Sequence, residues 1–207
     1  MPLTLGIAGA AGSLKNKGEP VSLGYRVNYV SNPSFEVDTA GWSAVAGATL
    51  ARTTGQFNTG SASLSITNVS SSAAQYQAIP FVAGEGTYYV SAYVKLAPGV
   101  STANYWIRCL QYETESSSGT VAAANVGVVE LSVTGNWVRI GGTLSKSPLA
   151  NFLAIRVVTG SSIAGEIFYV DSVMLEKSES LRSYFDGDSG GFWTGQSNNS
   201  FSGATPY

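Results

Sequence analysis

Apolar and polar residues alternate with a period of two through most of this 207-residue chain. In SASLSITNV, Ala62, Leu64 and Ile66 alternate with Ser61, Ser63, Ser65 and Thr67, the pattern of a strand with one buried face. AAQYQAIPF follows, and GTYYVSAYVKL then enters after the turn-forming AGEG and stops at APG. NYWIRCLQYET runs to a flexible SSSG, and WVRIGGTLS, NFLAIRVVTG and GEIFYVDSVMLEK complete the series. No long stretch sustains the three-four spacing of an amphipathic helix, and Ser, Thr, Gly and Val are frequent throughout. Short strands separated by turn signals predict an all-β fold, an antiparallel β-sandwich or barrel.

The alternation lapses at both ends. Residues 1–27 are rich in Gly, Ala and Ser, yet they hold Leu3, Leu5, Ile7, Leu14, Val21 and Leu23. These are too many apolar side chains for a solvated tail, so the segment reads as an N-terminal arm that orders on a partner. Residues 178–207 are rich in Gly, Ser and Asn with interspersed aromatics, and read as a C-terminal tail. The body between them, residues 28–177, is the expected domain. Within the tail, Phe185, Phe192 and Trp193 are expected to pack on a neighbour or the domain edge, and Asp186 and Asp188 to form a polar turn, with a cation site as the alternative.

Composition narrows the function. Charged residues make up 12% and hydrophobic ones 44%, which is not the composition of a disordered chain. With 11 basic against 13 acidic residues, no basic face suggests nucleic acid and no polybasic run suggests an anionic membrane. No apolar run is long enough to span a bilayer, and the N-terminus lacks the basic region of a secretory signal. Histidine is absent, which removes the commonest general base and the imidazole ligands of an ordinary zinc site. Glu85, Glu113, Glu115, Glu130 and Glu166 sit in turns and flanks, and no motif places two of them across a cleft. The chain is therefore not expected to be an enzyme. Cys109, the single cysteine, reads as a small buried apolar residue.

Strand parity supplies candidate binding residues. Ser91, Tyr93 and Lys95 share one face of their strand, opposite Tyr88, Val90, Ala92 and Val94. Trp106 and Arg108 share a face opposite Tyr105 and Cys109, and Arg156 alternates with Ile155 and Val157. A concave face carrying Gln77, Tyr93, Trp106, Arg108 and Arg156 is geometrically available. Aromatic planes there would lie against sugar rings while amides and guanidinium groups read their hydroxyls. The competing reading makes Tyr93 and Trp106 core or interface residues, with the arginines paired to acids. Trp42, after Gly41, reads as a core plug.

NPSFEVDTAGW near the start, YYVSAYVKL in the middle and IFYVDSVMLEK at the end follow one another in an order that resembles carbohydrate-binding modules of families four, nine and twenty-two. That resemblance covers most of residues 28–177 and implies a jelly roll. It also implies one structural calcium ion, held by Glu36 and Asp171 with oxygens of the loop around Asn58 and Gly60. The alternative is that both carboxylates accept hydrogen bonds from loop amides without metal. YFDGDSGGFWTG after the last strand resembles minor tail proteins of long-tailed bacteriophages, in which such a module is commonly followed by a segment of this kind. That resemblance implies a virion protein made in the host cytoplasm. Its expected partners are other tail proteins, further copies in a homo-oligomer (a trimer favoured) and a host cell-wall glycan. Two alternatives stand beside it: a module of a secreted polysaccharide-degrading system, and a virion decoration protein without a ligand.

Overall fold

The computed structural model describes residues 25–205 except 46, 70–72, 81–84, 101, 115–118, 132–134 and 162, and describes 73–80 as backbone only. Every strand expected from alternation is present. In chain order the strands are β1 (Arg26–Asn28), β2 (Trp42–Val45), β3 (Thr49–Thr53), β4 (Ser63–Thr67), β5 (Ala73–Pro80), β6 (Thr87–Leu96), β7 (Ala103–Tyr112), β8 (Thr120–Leu131), β9 (Val138–Ser145), β10 (Phe152–Thr159), β11 (Ile167–Lys177), β12 (Phe192–Trp193) and β13 (Ser202–Ala204). Two five-stranded sheets, β2-β5-β10-β7-β8 and β3-β4-β11-β6-β9, pair antiparallel throughout and pack as a jelly-roll sandwich.

The core follows the alternation. Tyr88, Val90, Ala92 and Val94 of β6 point inward, as do Tyr105, Ile107 and Cys109 of β7 and Leu153, Ile155 and Val157 of β10. Tyr105 meets Phe168 of β11 edge to face, with ring centroids 5.3 Å apart. Full burial of side chains of this size is worth about 1.5–3 kcal/mol each. Cys109 is fully buried, and burial pushes its thiol up to about 12, so it is an inert packing residue. Trp42 is buried against Phe35 and donates its Nε1–H to the Asn32 carbonyl.

The strand β8 is the longest of the described strands, and its Ala-rich, Gly-interrupted sequence gives little alternation to read. Its bulge at Gly127 (φ 62°) brings the backbone against β9, where a Cβ would stand 2.3 Å from the Gly141 nitrogen.

The ends differ most from expectation. Residues 1–24 of the expected arm lie outside the described residues, but β1 is a strand that pairs with β13, which in turn pairs with β12. The C-terminal segment is thus packed onto the body. Phe185 and Ala204 bury with Met174 of β11, and the Arg26 guanidinium lies 4.7 Å from the centre of the Phe185 ring. Arg26 also forms a bidentate pair with Glu176 at 2.7 and 2.8 Å, and both side chains are buried. Phe192 stays exposed and meets Tyr25 edge to face.

NPSFEVDTAGW binds these parts together. Asn32 and Phe35 adopt φ of 49° and 60°, and Asn32 donates to the Asp38 and Ala40 carbonyls. Pro33 accepts a hydrogen bond from Val173 of β11, and Ser34 donates to Asp186 at 2.7 Å. Asp186 also accepts from Tyr184 and from the Asp188 amide, so it organises the turn expected of this stretch.

Candidate functional site

The outward face of β2-β5-β10-β7-β8 carries a row of polar positions that crosses all five strands. Ser43 pairs with Gln75, Gln75 with Arg156, Arg156 with Arg108, and Arg108 with Asn125. Arg108, Asn125 and Ser43 are exposed and Arg156 is half-buried. At an inter-strand spacing of about 4.8 Å the row is about 19 Å long. Trp106 stands two residues along β7 from Arg108 on the same face, beside Val158 of β10. Its indole ring packs over Gly160, where a Cβ would meet the ring edge at 3.3 Å. Trp106 Nε1 is buried without an acceptor among the described residues, while the residue as a whole remains partly exposed. On the other side of the row, Phe152, Leu110, Tyr112 and Ala154 form a small apolar cluster on the same face.

Of the five residues expected on one concave face, Trp106, Arg108 and Arg156 come together. Tyr93 does not join them. It lies on β6, in the opposite sheet, and pairs with Arg139 of β9 and Asp171 of β11. Arg139 stacks over the Tyr93 ring at 5.5 Å, donates to Ser91 and to the Arg182 carbonyl, and so ties that face to the C-terminal segment. Burial pulls the Arg139 guanidinium below its ordinary value, with Tyr93 acting the other way. Parity rightly pointed Tyr93 outward, but from the wrong sheet. Gln77 lies on β5 where its ladder with β10 is irregular, and its side chain is outside the described residues. The position in register with Arg156 is Gln75, two residues earlier, and a bulge in β5 separates the two readings. Gln75, Asn125 and Ser43 were not singled out from sequence, because only the pairing of distant strands aligns them.

The expected metal residues Glu36, Asp171, Asn58 and Gly60 do converge. Asp171 is fully buried and its Oδ2 accepts from the Asn58 and Thr59 amides at 2.7 and 3.0 Å. Its Oδ1 accepts from the Ser172 amide at 2.6 Å. Burial pushes the Asp171 carboxyl up to about 7, against the opposing pull of these three amides, and the Glu36 charge adds to the rise. Glu36 accepts from the Ser61 amide and hydroxyl and from the Ala62 amide. Its carboxylate covers Gly60 (φ 65°), where a Cβ would stand 2.2 Å from Oε1. Nearby, Arg52 donates to the Phe35 and Glu36 carbonyls. A calcium ion takes six to eight oxygens; here the Asn58 amide N–H is directed at Asp171, and Arg52 takes the adjacent Phe35 and Glu36 carbonyls. Among the described residues no three His, Cys, Asp or Glu side chains gather as a metal site. As placed, both carboxylates are capped by loop amides. This cap holds the 56–62 loop on the β11 bulge, where Ser172 (φ 52°) bonds Asn58 and Thr59.

No curated protein sequence matches the chain significantly. Solved structures share its fold. The CBM22-1 xylan-binding domain from Paenibacillus barcinonensis is 20% identical with a TM-score of 0.60, over 74% of this chain and 96% of its own. A xylan-binding domain from family 22 is 19% identical with a TM-score of 0.62, over 75% of this chain and 98% of its own. The enzymatically active domain of tailspike protein 4 from bacteriophage CBA120 is 20% identical with a TM-score of 0.52, over 72% of this chain and 21% of that one. A family model described as "carbohydrate binding domain" matches residues 27–161, more than half of the sequence, and the chain belongs to that family.

Proposed function

We propose that this protein binds a glycan without cleaving it, on the outward face of β2-β5-β10-β7-β8. The observation that carries this reading is the polar row across that sheet with the packed Trp106 ring beside it. An aromatic plane held by its own packing needs no ordering when a sugar lies on it, and flanking amides and guanidinium groups supply donors for ring hydroxyls. Family membership supports the function class. The test is calorimetric titration of the full chain, its Trp106→Ala variant and its Tyr93→Ala variant against a panel of cell-wall oligosaccharides. Loss in Trp106→Ala alone is the expected result, with no reducing sugar released by any of the three. Equal loss in both variants, or binding by neither the parent nor the variants, would overturn the assignment.

We further propose that binding serves a virion, with the chain a homo-oligomeric (trimeric) tail component of a long-tailed bacteriophage that is made in the host cytoplasm and docks to other tail proteins. Support comes from the YFDGDSGGFWTG segment following the jelly roll. A second reading, a module of a polysaccharide-degrading system, is favoured by the xylan-binding domains that share the fold. Binding to xylan but not to whole bacterial cell walls would select the second, and the converse the first.

A further inference from the structure

We propose that this face reads an acetamido group, and that its ligand is a glycan built of 2-acetamido sugars. The inference rests on the glycan-binding reading above and adds to it the substituent that the sugar carries. At the β8 bulge, Tyr105 of β7 pairs with Val129 and Ile107 with Val126, so Gly127 and Val128 together stand opposite Trp106. Val126 and Val129 pack partly against the core, which leaves Val128 directed outward, and it is 62% exposed. Trp106 is thus flanked by Val128 on one side and by Val158 of β10 on the other. Two residues further along β7, Arg108 is the register partner of Asn125, and both are exposed. An apolar pair therefore adjoins a polar pair on these two strands.

An acetamido group has the same order of parts. It is one peptide unit, about 3.8 Å from the ring carbon to the methyl. Arg108 and Trp106 are about 7 Å apart at the strand rise, so one substituent touches both pairs. Its carbonyl accepts from the Arg108 guanidinium, and its N–H donates to the Asn125 side-chain oxygen. Its methyl lies between Val128 and the Trp106 ring, where both lose water. A plain hydroxyl on the same carbon has no apolar end and leaves Val128 in solvent. Strand propensity explains a β-branched residue in β8, but threonine meets that preference equally well on a solvent-facing position. Val128 is the large apolar side chain of β8 that lies exposed, and it lies beside the tryptophan. Place, not residue type, carries the assignment.

The experiment titrates the full chain calorimetrically with cellohexaose and with N-acetylchitohexaose, which share a backbone and differ in a hydroxyl or an acetamido group on each ring. N-acetylchitohexaose should bind about tenfold more tightly, the joint effect of one buried methyl and one amide hydrogen bond. Val128→Thr keeps the shape of the side chain and replaces a methyl by a hydroxyl. It should cut that margin about fourfold. Asn125→Ala should weaken N-acetylchitohexaose more than cellohexaose. Leu181→Thr, at an exposed apolar position of the C-terminal segment, should change neither. Xylohexaose and its O-acetylated form make a second pair, in which the acetyl group has no N–H. A gain from that ester equal to the gain from the acetamide overturns the reading of the amide. Equal binding of cellohexaose and N-acetylchitohexaose overturns the acetamido assignment and leaves the glycan site standing. A margin that survives Val128→Thr overturns the placement beside Trp106. Failure of every probe, with the protein folded, overturns both readings.

Discussion

On the outward face of β3-β4-β11-β6-β9, Arg139 stacks on Tyr93 and reaches the C-terminal segment through the Arg182 carbonyl, while Arg26 grips Glu176 beneath Phe185. On the outward face of β2-β5-β10-β7-β8, Arg108 faces Arg156 beside Trp106, and Arg108 is exposed. The two faces use the same residue types for different ends. In the first, arginine and aromatic groups satisfy one another and fasten a segment of the same chain. In the second, the arginines face each other across a ladder, and the aromatic ring is packed from below by a glycine. An arginine near an aromatic ring is therefore no sign of a binding site until the chain that covers it is known.

The largest expected effect lies on the covered face. Glu176→Ala leaves the buried Arg26 guanidinium without its carboxylate, a loss of about 3–5 kcal/mol. Urea unfolding would measure it, and a loss under about 1 kcal/mol would mean that the C-terminal segment is not fastened there. Arg139→Ala is next. It removes the bonds to Ser91 and the Arg182 carbonyl and the stacking on Tyr93, and should cost about 1–3 kcal/mol with no change in glycan affinity. On the other face the effects reverse. Trp106→Ala should weaken glycan binding at least tenfold, about 1.4 kcal/mol. It should also cost less stability than the roughly 3–5 kcal/mol of a fully buried tryptophan. A variant that unfolds instead would move Trp106 from site to core. The smallest effect concerns the amide cap at Glu36 and Asp171: if the loop amides alone hold these carboxylates, chelation should leave the melting temperature unchanged. A clear fall would reinstate calcium at these carboxylates.

Much of the sandwich was legible because a half-buried strand writes its period into the sequence, as Ala62, Leu64 and Ile66 do against their serines. Two parts were not. The strand β8 carries alanines and a bulge glycine on its faces, so burial leaves little contrast to read. The C-terminal segment packs through single residues such as Phe185, Asp186 and Ala204 instead of a repeating face, and so resembles an arm. For the site, parity assigned Trp106, Arg108 and Tyr93 outward from their own strands. Which sheet each strand joins depends on pairing between distant segments, and this separated Tyr93 from the others. The carboxylates of Glu36 and Asp171 were found together by resemblance, while the direction of the loop amides, which decides what they hold, depends on backbone geometry that no residue type encodes.

The small sheet formed by β1, β13 and β12 has a mechanical meaning. Arg26 lies opposite Ala204 and Asn28 opposite Ser202, so the two ends of the described body leave the ladder side by side. Tension applied between them would open the pairs in succession, as a zipper opens, in place of shearing them together. The Arg26–Glu176 pair is the latch at the mouth of that zipper. Once it released, the small sheet could lengthen and absorb a pull as a local opening. The sheet that carries Trp106 and the arginine row shares no strand with it and would keep its shape under load.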